Sequence, residues 1–224
     1  MAATVATTDK KPRRRLPAAE RRTRILQAAL ELFAERGYQE ASMVEIARAA
    51  GITPAVIYDH FESKADLHIT LLERQTDDLL AFVGSAVAAA PEDRAIRMRD
   101  GVDAFFRFFE DNSAAWRVLF RDPPTDPAIL AAYEGIHGRA TGGIAMFLTD
   151  NAPEGLFDEP GAELRAEMLA QMLKTAQNGL ADWWYDHRDV PREEIVDAVL
   201  DFCWLGFERV AAGESSQRRR PRRR

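Results

Sequence analysis

The stretch SMVEIARAAGITPAVIYDHF, residues 42–61, decides how the chain is read. Ser42 and Glu45, three residues apart, form a capping-box pattern, so a helix starts there. Val44, Ile46, Ala47 and Ala50 give that helix an apolar face, and the small Ala47 suits close crossing by another helix. Gly51 stands where a helix ends and where a positive φ costs a residue without Cβ nothing. Ile52, the apolar residue of the turn, is expected to point inward. Thr53 takes the capping position of a second helix, and Pro54 suits its first turn because the missing N–H would be unpaired there anyway. Ile57 and Phe61, four apart, share the buried side. Ala55, Val56, Asp59 and parts of Tyr58 and His60 are left outward. Two short helices hinged at a glycine have the shape of a helix-turn-helix, whose second helix enters the DNA major groove. A plain helical hairpin in a core shares this local pattern, so the flanks must decide between them.

Upstream, RRTRILQAALELFAERG, residues 21–37, places Ile25, Ala28, Ala29, Leu32 and Phe33 at helical spacing and closes on Gly37. Downstream, Ser63 caps a long fourth helix whose first turn carries Lys64 and Asp66. With these flanks the chain resembles the TetR family of transcriptional regulators. The resemblance runs from Arg24 to Leu67, about a fifth of the chain. It rests on Gly37-Tyr38, Ile46-Ala47, Gly51, the group Tyr58, His60 and Phe61, and Lys64.

The resemblance implies an all-α fold: an N-terminal three-helix DNA-binding domain with a helix-turn-helix, then a helical ligand-binding and dimerisation domain. It also implies roles for single positions. Thr53, with Pro54 opening the recognition helix, would contact a phosphate. Ala55 and Val56 would face base edges. Tyr58 and His60 would reach the DNA backbone, and Lys64 would pair with a phosphate. Ser42 would do likewise through its hydroxyl or nearby N–H groups. Hydroxyls, helix N-termini and lysines are the usual phosphate partners. Asp59 departs from the pattern, because an acid near phosphates is repelled; it is expected to face solvent or an arginine, with acceptance from a cytosine N4 amine as the alternative. Ala55 and Val56 offer only apolar contact with a thymine methyl, so base readout by this helix is thin, and DNA shape or an N-terminal arm must add specificity.

The net charge of −6 looks wrong for a DNA binder until its distribution is read. Residues 1–70 carry 11 basic and 9 acidic side chains, residues 71–213 carry 13 and 26, and residues 214–224 carry 6 and 1. An acidic body is repelled by DNA and orients the basic end toward it. The expected organisation is a disordered basic arm over 1–18, the DNA-binding domain over 19–79, the helical domain over 80–213, and an Arg-rich tail over 214–224. The arm suits a minor groove or a phosphate backbone, and equally suits a solubilising tail.

The acidic body reads as helices throughout: Lys64 to about Ala89, Pro91 to Asp111, Ser113 to Phe120, Pro127 to Leu148, Gly161 to Asp186 and Arg192 to Ala212. Pro123-Pro124 is expected to break the chain, and Gly135, Gly138, Gly142 and Gly143 to loosen the helix that holds them. The last two helices carry Leu164, Met168, Met172, Ile195, Val199, Phe202, Leu205 and Phe207, more apolar surface than one face needs. They are the expected homodimer interface, which a palindromic double-stranded DNA operator requires; burial within one subunit is the alternative. A small-molecule pocket is expected among Phe105, Phe106, Phe109, Trp116, Phe120, Tyr133, Met146, Phe147, Met172 and Trp183, with Gln171, Asn178 or His137 as polar anchors. Aromatics at helical spacing serve a core equally well. A largely hydrophobic effector follows, acting by favouring one of two spacings of the recognition helices.

Other classes find little support. His60, His68, His137, His187 and the single Cys203 show no metal-ligand spacing, and no phosphate loop, nucleophile elbow or dinucleotide fingerprint is present. No enzyme activity, metal or cofactor is expected. No membrane-length apolar run and no secretory signal occur, so a cytoplasmic protein is expected. Within DNA binding, a repressor competes with an architectural protein that coats DNA without sequence preference.

Overall fold

The computed structural model of the protein describes residues 17–121, 126–151, 157, 160–206, 209 and 212, and among these every regular element is helical. The readings of the basic arm, the Arg-rich tail, the break at Pro123-Pro124 and most of the 151–160 loop lie outside the described residues, as does Phe207.

Helix α1, Ala18–Glu40, is broken at Gly37, whose φ of 79° and ψ of 165° lie outside the helical region. The expected stop there is a sharp bend followed by one further turn, which swings Tyr38 into the core. Helices α2, Met43–Ala49, and α3, Pro54–Tyr58, form the hairpin, with Gly51 at φ 72°. Ile25, Ala29, Ile46, Ala47, Ile57 and Phe61 meet at its centre, essentially without exposure. The apolar face of α2 differs from the expected one: Met43 is buried and Val44 is 49% exposed. The cause is helical register, since Met43, Ile46, Ala47 and Ala50 share one side and Val44 falls off it.

Helix α4, Lys64–Ala89, runs unbroken from this unit into the body. Helix α5, Arg94–Asp111, packs along it, capped by Asp93 on the Ile96 N–H. Helix α6, Ser113–Trp116, passes into a π-helical turn, Arg117–Arg121, and both lean on α1. Helix α7, Pro127–Asp150, crosses α4 and lies along α8, Ala162–Tyr185. Its glycines do not interrupt it. Space beside Gly135, Gly138, Gly142 and Gly143 is open, so they cost helix propensity without causing a kink. Helix α9, Arg192–Val199, continues through a second π turn, Leu200–Trp204. Arg192 fastens it to α5 by ion pairs to Asp103 and Glu110.

Candidate DNA-binding surface and ligand cavity

The hairpin is held by bonds that also decide which side chains remain outward. Ser42 Oγ donates to Glu45 Oε2 at 2.6 Å and accepts the Glu45 N–H at 3.2 Å, while the Ser42 N–H reaches the same carboxylate at 3.1 Å. The capping box is therefore complete, and these bonds to Ser42 hold the Glu45 carboxyl below its usual range, with Arg36 assisting. The Ser42 hydroxyl is occupied by the cap.

The structure gives Lys64 partners within the protein. Its ammonium donates to the carbonyls of Tyr38, Gln39 and Ala41 at 2.8, 3.2 and 3.1 Å and lies 4.4 Å from the Tyr38 ring centre. All three donors of the amine are used to satisfy the carbonyls that the bend at Gly37 leaves open. Lys64 thus ties α4 to the end of α1.

Helix α3 presents the remaining expected residues. Thr53 occupies the capping position but its side chain makes no capping bond, so the hydroxyl faces outward beside exposed Pro54 and Ala55. Val56 is half-buried, Tyr58 is 55% exposed, and Asp59 is exposed. His60 is half-buried; its backbone carbonyl accepts from Arg22 at 3.1 Å, and its Nε2 is buried with no partner among the described residues. Arg22 also covers the Phe61 ring at 4.3 Å. Sequence reasoning missed Arg48, exposed near the end of α2 beside Gly51, whose N–H bonds the Arg48 carbonyl. The signal was present: Arg48 falls on the side of α2 opposite Met43 and Ile46.

In the body, α4, α5, α7 and α8 enclose a cavity of about 690 Å³. Leu72, Leu79, Val83, Val102, Phe105, Phe120, Ile136 and Phe147 make most of its wall. Of the expected pocket residues, His137, with Phe105, Phe120, Tyr133, Met146, Phe147 and Asn178, lines it. The others are corrected. Phe106, Phe109 and Trp116 are fully buried in an aromatic cluster behind the wall, because α5 turns Phe106 toward Trp184 and Phe109 toward Trp116 of α6, away from the cavity. Gln171 and Met172 lie on the outer face of α8, where Gln171 meets Thr141 and Met172 is 65% exposed. Trp183 is likewise outside.

In the polar part of the wall, Lys174 was not foreseen. Lys174 is buried and bonds Thr141 Oγ1 at 2.5 Å and the His137 carbonyl at 3.2 Å. Burial lowers its pKa; burial, and secondarily the Lys174 charge, lower that of His137. Tyr133 donates to the Leu119 carbonyl at 2.7 Å, and burial pushes its hydroxyl up to about 12. The signal for Lys174 was its register: Ala166, Ala170, Lys174, Gln177 and Ala181 form one buried stripe.

Leu164, Met168 and Met172 form an exposed stripe on α8, and Phe202 and Leu205 are exposed beyond α9, whereas Ile195 and Val199 are buried within the subunit. Cys203 is half-buried, and burial raises its thiol pKa. Among the described residues, no group of His, Cys, Asp and Glu is placed to hold a metal, and no helix is long and apolar enough to cross a membrane.

Comparison with known proteins agrees with this architecture. Residues 25–69 match the family described as bacterial regulatory proteins, tetR family, and residues 95–206 match the tetracyclin repressor-like C-terminal domain. The HTH-type transcriptional activator FasR of Mycolicibacterium smegmatis is 34% identical over 203 residues, 88% of this chain and 87% of that protein. A TetR-like transcriptional regulator from Rhodococcus sp. RHA1 superposes with a TM-score of 0.68 at 23% identity, over 87% of this chain and 99% of that one. The transcriptional regulator FadR from Bacillus subtilis, solved in complex with stearoyl-CoA, superposes with a TM-score of 0.69 at 16% identity, over 81% and 96%. Regulators of this kind are not enzymes. With both domains matched and a relative aligned across most of its length, the chain belongs to the TetR family of transcriptional regulators.

Proposed function

We propose that the protein is a homodimeric repressor that binds a palindromic operator and releases it when a largely hydrophobic small molecule fills the cavity. The observation that carries this reading is α4. One unbroken helix begins beside α3, where Lys64 ties it to α1, and then supplies Leu72, Thr76, Leu79, Leu80 and Val83 to the cavity wall. A ligand that favours one tilt of α4 changes the spacing of the two recognition helices. It does so only to the extent that it binds that state better.

Thr53, Pro54, Ala55, Val56, Tyr58 and His60, with the N-terminal turn at Ser42, form the DNA-facing surface in this reading. In this reading exposed Arg48 supplies a phosphate contact, while the Lys64 ammonium is engaged by carbonyls of its own chain. The exposed stripe of α8 with Phe202 and Leu205 supports a dimer, since apolar side chains of this size are seldom left in water as a group. The mainly apolar cavity supports a hydrophobic effector, and the structural neighbour FadR was solved in complex with stearoyl-CoA. The activator name of the Mycolicibacterium smegmatis relative favours a second reading, in which the same DNA complex recruits transcription.

Binding to the protein's upstream region and to scrambled DNA of equal length, across several salt concentrations, tests the proposal. A preference for the upstream region or another genomic site is expected, over a steep salt dependence common to all sequences. Equal affinity for every sequence would establish an architectural protein instead. A reporter driven from the bound site separates repression from activation.

A further inference from the structure

Lys174 is 8% exposed and stands in the wall of a mainly apolar cavity. Its two partners, the Thr141 hydroxyl and the His137 carbonyl, are neutral. They occupy two of the amine's three donors and none of its charge. Among the described residues, no carboxylate lies at ion-pair distance from it. The acid on the cavity lining, Asp150, is exposed and nine residues beyond Thr141 on α7, about 13 Å away at ~1.5 Å rise per residue. The basic group at that end, Arg97, is bonded to the Pro91 carbonyl and to Asn151. A buried cation without a counter-ion is costly, and side chains that must sit in a core are rarely lysines unless something pairs with them.

We propose that the cavity takes a carboxylate-terminated amphiphile, its acid group on Lys174 Nζ and its apolar chain along Leu79, Val83, Val102 and Phe147. This rests on the ligand-responsive reading above and adds the head-group chemistry. The carboxylate supplies the missing negative charge in a site where water screens little, and bonds between ions of opposite sign are about twice as strong as neutral ones. The lowered pKa of Lys174 is the cost of its present surroundings, and an acid in the cavity would reverse it.

Titration calorimetry on the full chain with laurate, lauryl alcohol and lauroyl-CoA, three heads on one tail, tests the proposal. Laurate is expected to bind at least about tenfold more tightly than the alcohol, a difference of ~1.4 kcal/mol. Lys174→Met should bring acid and alcohol to within about twofold of each other. Lys174→Arg should retain the preference. Thermal melts of each variant report whether it folds, and the acid-to-alcohol comparison on the unaltered chain stands without them. Equal binding of acid and alcohol overturns the head-group assignment while leaving a hydrophobic effector in place. Tighter binding of lauroyl-CoA that Lys174→Met leaves untouched also overturns it, because the anion then sits elsewhere. Failure of all three to bind removes the assignment together with the effector reading on which it rests.

Discussion

Val56 and Tyr58 stand two residues apart on α3 and meet DNA, in the proposed complex, by different chemistry. Val56 offers a methyl surface to a base edge, and Tyr58 a hydroxyl to a phosphate. Tyr58→Phe is therefore expected to weaken every sequence alike, by a few-fold. Val56→Thr should change the ranking of operator variants, each altered base contact being worth about 1–3 kcal/mol. Quantitative binding to an operator library checks both, and uniform weakening by Val56→Thr would remove it from base reading. His68 makes a prediction about stability. It is packed between the Phe33 and Tyr38 rings at 4.9 Å with neither ring nitrogen bonded among the described residues. Burial, with the nearby Lys64 charge, lowers its pKa from 6.5 to about 4. The unfolded chain thus binds a proton between those values that the native state refuses, so stability falls as pH drops from 6.5 toward 4. The loss at full effect is about 3 kcal/mol, because a tenfold change in proton affinity between the two states is worth about 1.4 kcal/mol. Urea denaturation at pH 7 and pH 4.5 measures it, and His68→Leu should remove this part of the slope.

Among elements, α8 and α9 divide their apolar side chains between two jobs. Ile195, Val196 and Val199 close the subunit core, while Leu164, Met168, Met172, Phe202 and Leu205 stay outside it. A double substitution of Met172→Glu and Phe202→Glu, at positions 65% and 81% exposed, should leave the fold intact and give a monomer in sedimentation. Operator affinity should fall with it, since both half-sites no longer bind as one unit. A dimer that survives the double substitution would place the interface elsewhere. The helices themselves were largely legible, because caps and glycines are local signals: Ser42 with Glu45, and Ser63, mark helix starts that hydrogen bonds bear out. The bend inside α1 and the two π turns were not legible. They depend on how Tyr38, Leu119 and Phe120 are drawn into a core contributed by distant segments.

At the scale of the molecule, the DNA-facing hairpin and the cavity share α4, and the π turn after α6 touches both α1 and α4 while lending Leu119 and Phe120 to the cavity wall. Two packed routes therefore connect the sites. If the effector lowers operator affinity by some factor, the operator must lower effector affinity by the same factor. Calorimetry of effector binding with and without saturating operator should show equal coupling, within a usual range of about 5- to 150-fold. Unequal factors would mean that a third state or a second ligand site participates. In the proposed complex, the acidic body and the basic N-terminal part would act on the same scale, orienting approach to DNA rather than recognition.

From the sequence alone came the family, the hairpin at residues 42–61 and an all-helical chain, because these rest on short-range spacing, caps and turn residues that lie within one or two helical turns of each other. Tertiary structure decided which like residues do unlike work. It sent Phe105 to the cavity and Phe106 and Phe109 to the core, turned Met172 outward, and spent Lys64 on three carbonyls. It also buried Lys174 where a surface charge is the ordinary expectation. Each of these depends on the angle at which one helix crosses another, which residue spacing along a single helix does not specify.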